Sequence, residues 1–212
     1  MTTRFFSLFA AAAIATGLNP SPATAQPAAL RHIDVPVVPP DLIVDEGHVA
    51  FLEGRAVGTQ NYICLPVPGG YKWTFTGPQA TLFLSPSGEL QQQISTHFLS
   101  ANPDEGGLPR PTWQHSNDSS RVWGRVKGIT TDENYVEAGA IPWLLLETAG
   151  KADGTTGGSL LSRTTFIQRV NTSGGVAPAG GCTQASQVGT NALVPYSTDY
   201  IFYRAGNRGK NQ

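Results

Sequence analysis

The sequence predicts an all-β protein, a single antiparallel domain built as a β-sandwich or a barrel-like fold with long loops. Three observations lead there. Glycine and proline, 24 and 16 of them, make up almost a fifth of the 212 residues, against roughly 12% in ordinary chains. Apolar and aromatic residues come in short runs separated by Gly, Pro, Asn, Asp and Ser, the punctuation of strands and turns. No stretch offers three helical turns free of Gly and Pro with a clean apolar stripe, apart from a weak pattern within residues 91–100.

Taken from the N-terminus, residues 1–25 have the layout of an export signal. Arg4 supplies the positive charge, the run from Phe5 to Ile14 is apolar, and Ala23-Thr24-Ala25 presents small side chains before a cut at Gln26. That run is too short for a transmembrane anchor, which needs about twenty apolar residues. The expected product is secreted, periplasmic or extracellular. Residues 26–47 follow as a Pro-rich arm, since each proline restricts the residue before it, and residues 48–212 form the β domain.

Within that domain the expected strands are 49–51, 59–65, 71–75, 80–85, 92–98, 121–130, 141–148, 160–171 and 199–203, with 101–111 and 150–158 as loops. Alternation places Phe166, Gln168 and Val170 on one face and Ile167 and Arg169 on the other. Ile141-Pro142-Trp143-Leu144-Leu145-Leu146 is almost wholly apolar, as in a strand covered on both faces, with Pro142 confined to its start or a bulge. A doubly wound α/β fold needs crossover helices that these intervals do not allow.

Fourteen Lys and Arg against fifteen Asp and Glu give a formal charge of -1, so no basic field points to nucleic acid. The paired glycines lack the spacings of phosphate-binding loops, and no Gly-x-Ser-x-Gly elbow is present. No cofactor is implied. Cys64 and Cys182 are the only cysteines, and in an exported protein the expected state is a disulfide between them. The rivals, a thiolate nucleophile or two soft metal ligands, find no CxxC neighbour and no His nearby in sequence.

Two kinds of site are open. In the stretch from His97 to Asp118, His97, His115 and Asp118 offer nitrogen and oxygen ligands for a divalent metal, the basis for a metal-dependent or other hydrolase, although no HExxH or HxH spacing is present. Binding without catalysis rests on Trp113 and Trp123, which flank a polar turn, and on Gln60, Gln168 and Arg169, polar groups inserted into strand-like runs. The ligand would be an extracellular carbohydrate or another small polar molecule. Both sets compete with a plain structural surface protein, because aromatics fill cores and every alternating strand needs one polar face.

Several strings, read in order, resemble a known family. Gly58-Thr59-Gln60-Asn61-Tyr62-Ile63-Cys64, Pro111-Thr112-Trp113, Ile141 to Leu146, Ile167-Gln168-Arg169-Val170-Asn171-Thr172, Gly181-Cys182 and Asp199-Tyr200-Ile201-Phe202-Tyr203 are similar to the signatures of the secreted bacterial and fungal domain-of-unknown-function family 3455, over about residues 45–204. The resemblance implies a secreted all-β domain with both cysteines inside its signature strings. It implies no catalytic residues.

Overall fold

The computed structural model describes residues 33–84 and 92–206. The export signal expected at 1–25 and the first part of the arm lie outside them. The described chain forms eight strands, β1 (His48–Val67), β2 (Gly70–Leu84), β3 (Gln92–Asn102), β4 (Leu108–His115), β5 (Arg121–Thr130), β6 (Trp143–Ala152), β7 (Phe166–Gly174) and β8 (Asn191–Ala205), with no α-helix among the described residues. Each strand pairs antiparallel with the next, and β8 returns to β1, so the sheet closes into a barrel. Of the two architectures the sequence allowed, the protein has the barrel. No helix among the described residues is long and apolar enough to cross a membrane.

Eight strands replace the nine expected because two pairs of short runs are single long strands, which leaves seven, and β4 forms where no strand was expected. Residues 49–51 and 59–65 join in β1, 20 residues long, and 71–75 and the described part of 80–85 join in β2, which ends at Leu84. The glycines and prolines that read as turns lie inside these strands, where they serve close approach and bending. A Cβ on Gly58 would stand 2.1 Å from the Gln79 carbonyl oxygen, so only glycine lets β1 and β2 cross there. The pairing shifts register just beyond, between Asn61 and Tyr62, a bulge that adds twist. Residues 92–100 are strand, and the expected loop 101–111 contains a tight turn at Pro103–Glu105 followed by β4.

Burial follows the predicted alternation in β6 and β7. Leu144, Leu146 and Ile167 point into the barrel core with Trp113, Val122, Tyr200 and Phe202. Trp143, Leu145, Phe166 and Val170 point outward and pack with Leu42, Ile201 and Tyr203 under the segment that precedes β1. That double coverage explains why the run 141–146 is continuously apolar. Elsewhere the outer face carries ion pairs such as Arg55–Asp199 and Arg125–Glu147. Apolar inside and charged outside is the reverse of a lipid-facing barrel.

The preceding segment is fastened by its backbone. Leu42 is fully buried, and its carbonyl accepts from Gln168 Nε2 at 2.7 Å. The Asp41 carbonyl lies against Gly128, where an added Cβ would be 2.1 Å from the oxygen. Gly128→Ala is therefore expected to lift this segment and expose the outer apolar layer, lowering stability by about 2 kcal/mol or more. Chemical denaturation, together with limited proteolysis ahead of His48, reads the change; an unaltered midpoint counts against the contact.

One seam of the barrel is only partly closed. β4 and β5 pair over just Thr112↔Trp123, Trp113↔Val122 and Gln114↔Arg121. The His115 N–H donates to Ser120 O in the connecting turn, and by alternation the backbone groups of Trp113, Pro111 and Pro109 also face β5. Proline has no N–H to give. The sequence Leu108-Pro109-Arg110-Pro111 thus withdraws two successive donors, and the upper halves of β4 and β5 part. At this same end the Cys64–Cys182 disulfide joins β1 to the connection between β7 and β8, and Trp73 Nε1 donates to Gly180 O of that connection at 2.8 Å.

Candidate functional site

A cavity of about 350 Å³ occupies the half of the barrel nearest this end, near the lower bound for small-molecule sites. Its wall is mostly apolar, with Leu99, Pro111, Ile141, Leu144 and Leu146 contributing side chains. Pro111 stands on one side of the parted seam and Val126 and Ile129 on the other, so the seam forms part of the wall. Phe75, Val126 and Ile129 are exposed on its rim. Trp113 and Tyr200, each 1% exposed, lie at its base. The opposite end is filled by Leu82, Ile94, Phe202 and Leu161.

Five polar side chains line this apolar space: Gln60, His97, Arg169, Tyr200 and Tyr62, whose hydroxyl donates to Gly175 O at 2.7 Å. Strand alternation puts Arg169 inside, between Leu144 on β6 and Tyr200 on β8. Its Nε and Nη2 donate to Pro142 O at 3.1 and 2.7 Å, which fixes the guanidinium plane and leaves Nη1 without a partner among the described residues. No carboxylate among the described residues pairs with it. Its charge acts instead on Tyr62, His97, Tyr196 and Tyr200.

Gln60 is 3% exposed and its Nε2 has no hydrogen-bond partner among the described residues, and the same holds of the buried Tyr200 and Tyr196 hydroxyls and Trp113 Nε1. Tyr196 lies close to Tyr200 and Gln60, and Tyr200 close to Arg169, near enough to modulate the two tyrosine pKa values, which burial raises, yet Gln60 Nε2 and both hydroxyls are left without a well-formed hydrogen bond. Such groups cost about 1–3 kcal/mol each when left dry, so several in one place mark a position kept for something other than stability.

His97 stacks on Trp113 with ring centroids 4.2 Å apart and the planes 12° from parallel. Its Nδ1 lies 2.9 Å from Thr112 O. A carbonyl only accepts, so Nδ1 carries the proton and Nε2 is a lone-pair acceptor. Burial, aided by the nearby Arg169 charge and opposed by the Thr112 contact, lowers its pKa to about 3. The imidazole is neutral at ordinary pH.

The residues singled out in sequence divide between the cavity and the scaffold. Gln60, Trp113, Arg169 and His97 converge on the cavity. Gln168 faces outward, bound to Leu42 O and accepting from the Tyr203 hydroxyl at 2.5 Å. Trp123 is buried with its Nε1 donating to Ser100 Oγ. His115 and Asp118 belong to the closed end: His115 Nδ1 lies 3.0 Å from Asp118 Oδ1, while Asp118 accepts from the Ser120 N–H and hydroxyl and from the Leu160 N–H. Burial pushes the Asp118 carboxyl up, but these hydrogen bonds outweigh it and hold it well below the usual carboxylate range. The pair clamps the β4–β5 turn to the segment bearing Leu161, whose N–H donates to Ser120 Oγ. No three His, Cys, Asp or Glu side chains among the described residues converge as a metal site would require.

Tyr62 and Tyr200 also line the cavity, and neither stands among the site residues expected from the sequence. For Tyr200 the available signal was Asp199-Tyr200-Ile201-Phe202, in which Tyr200 and Phe202 share a face.

No curated protein and no solved structure gives a significant match to the chain. The family model described as a protein of unknown function, DUF3455, matches residues 46–204. That span runs from just before β1 almost to the end of β8, taking in both cysteines and every residue of the cavity wall, and the chain belongs to this family.

Proposed function

We propose that the protein is a noncatalytic binding protein that takes a small, largely apolar molecule into the open half of its barrel. The observation that carries this reading is the cavity itself, a space of about 350 Å³ walled by aliphatic and aromatic side chains with a few inward polar groups, the usual make-up of a ligand pocket. A sugar is a poorer fit than an apolar body. Carbohydrate sites use open aromatic faces, whereas one face of Trp113 is covered by His97 and Trp123 is 3% exposed. The export signal expected at 1–25 and a disulfide that persists in oxidising surroundings support action in the periplasm or outside the cell.

Octanol is a suitable neutral probe, small enough for the cavity and without charge. Calorimetric titration is expected to show saturable binding with a negative heat-capacity change, the mark of apolar burial. Leu99→Trp, which puts an indole into the cavity, is expected to abolish it. No saturable binding, or binding indifferent to Leu99→Trp, removes this function.

A further inference from the structure

We infer that the ligand carries a carboxylate, seated against Arg169, Gln60 and Tyr200; this rests on the cavity being a binding site. The three groups come from β7, β1 and β8, which adjoin where the barrel closes. Arg169 brings a positive charge into an apolar wall and meets no acid among the described residues, although its Nε and Nη2 are spent on Pro142 O. Gln60 Nε2 and the Tyr200 hydroxyl are buried donors with no acceptor among the described residues. A half-buried cation set in an apolar wall, without an acid and ringed by unused donors, lacks an anion with oxygen acceptors.

The charge count selects the class. No lysine and no second arginine lines the cavity, so the wall balances one negative charge. A phosphate monoester, with about 1.5–2 negative charges near neutrality, would leave an unpaired charge in the same apolar space. A carboxylate leaves none. Its two oxygens can take Nη1 of Arg169 together with Gln60 Nε2 or the Tyr200 hydroxyl, and its hydrocarbon part then lies along Leu99, Leu144 and the seam. The class is an acyl or aryl monocarboxylic acid.

Octanoate and octanol, matched in chain length, separate this inference from the reading beneath it. In calorimetric titration of the purified full-length protein near neutral pH, octanoate is expected to bind at least about tenfold more tightly than octanol, as a charge-assisted contact in a dry site requires. Arg169→Met is expected to erase that preference while octanol still binds, which also reports that the variant is folded. Gln60→Leu, which keeps the guanidinium, is expected to reduce the preference severalfold. Equal binding of the two probes by the unaltered protein, or a preference that survives Arg169→Met, overturns the carboxylate. If octanol fails to bind as well, the cavity reading falls and the carboxylate with it.

Discussion

Replacing both Cys64 and Cys182 by alanine is expected to lower the stability of the barrel by about 2–5 kcal/mol. The crosslink spans 118 residues of sequence, and closing a loop that long removes much of the freedom of the unfolded chain. A local effect adds to this. Among the described residues the β7–β8 connection is held to β1 and β2 by few other fastenings, namely the Tyr62 hydroxyl bond to Gly175 O, the Trp73 bond to Gly180 O, the Cys64 N–H bond to Thr190 O and the Gly189 N–H bond to Cys64 O. Denaturant midpoints of the oxidised protein and the double variant measure the global part, and protease cleavage within 176–190 measures the local part. Coincident midpoints would show that the crosslink does not restrain the unfolded chain.

The second large effect is acid sensitivity from His97. Burial holds its pKa at about 3 in the folded protein, against 6.5 for the free side chain, so between those values the unfolded chain binds a proton that the native state refuses. The stabilising contribution is therefore complete above about pH 6.5, declines as the pH falls, and is gone below about pH 3, amounting to several kcal/mol. Protonation would place a second cation beside Arg169, against Trp113 and Tyr200. His97→Gln keeps a donor for Thr112 O and cannot titrate. Its stability is expected to fall less steeply than that of the unaltered protein from about pH 7 to about pH 4. The carboxylates are common to both proteins, so parallel curves would show that His97 is not the sensor.

How much of this could be read in advance depends on whether a feature is local to one strand. The faces of Phe166 to Val170 follow from period-two alternation and the double coverage of Trp143 to Leu146 from an unbroken apolar run, and the structure reproduces both. Closure does not follow, because the β1–β8 pairing that separates a barrel from a sandwich joins Arg55 to Asp199 across most of the chain. Gly58 reads as a turn residue for a physical reason: the residue that lacks a Cβ and so punctuates turns also relieves crowding where strands cross. The candidate site was half legible. An arginine opposite Gln168 in an alternating strand was visible, but that Arg169 faces a cavity while Gln168 faces a covering segment depends on strands remote in sequence. His97 and His115 looked alike in sequence, yet one lines the cavity and the other is bound to Asp118 at the opposite end.

The order of the strands also governs how the chain reaches its native state. Seven of the eight strand pairings join neighbours in sequence and can zip as each hairpin forms, whereas the eighth unites the first strand with the last. Until Asn191–Ala205 is available, the 20-residue β1 presents one open edge with nothing to pair it. The slow step is thus the long-range closure, and a chain emerging N-terminus first carries its most adhesive strand exposed until its final segment arrives.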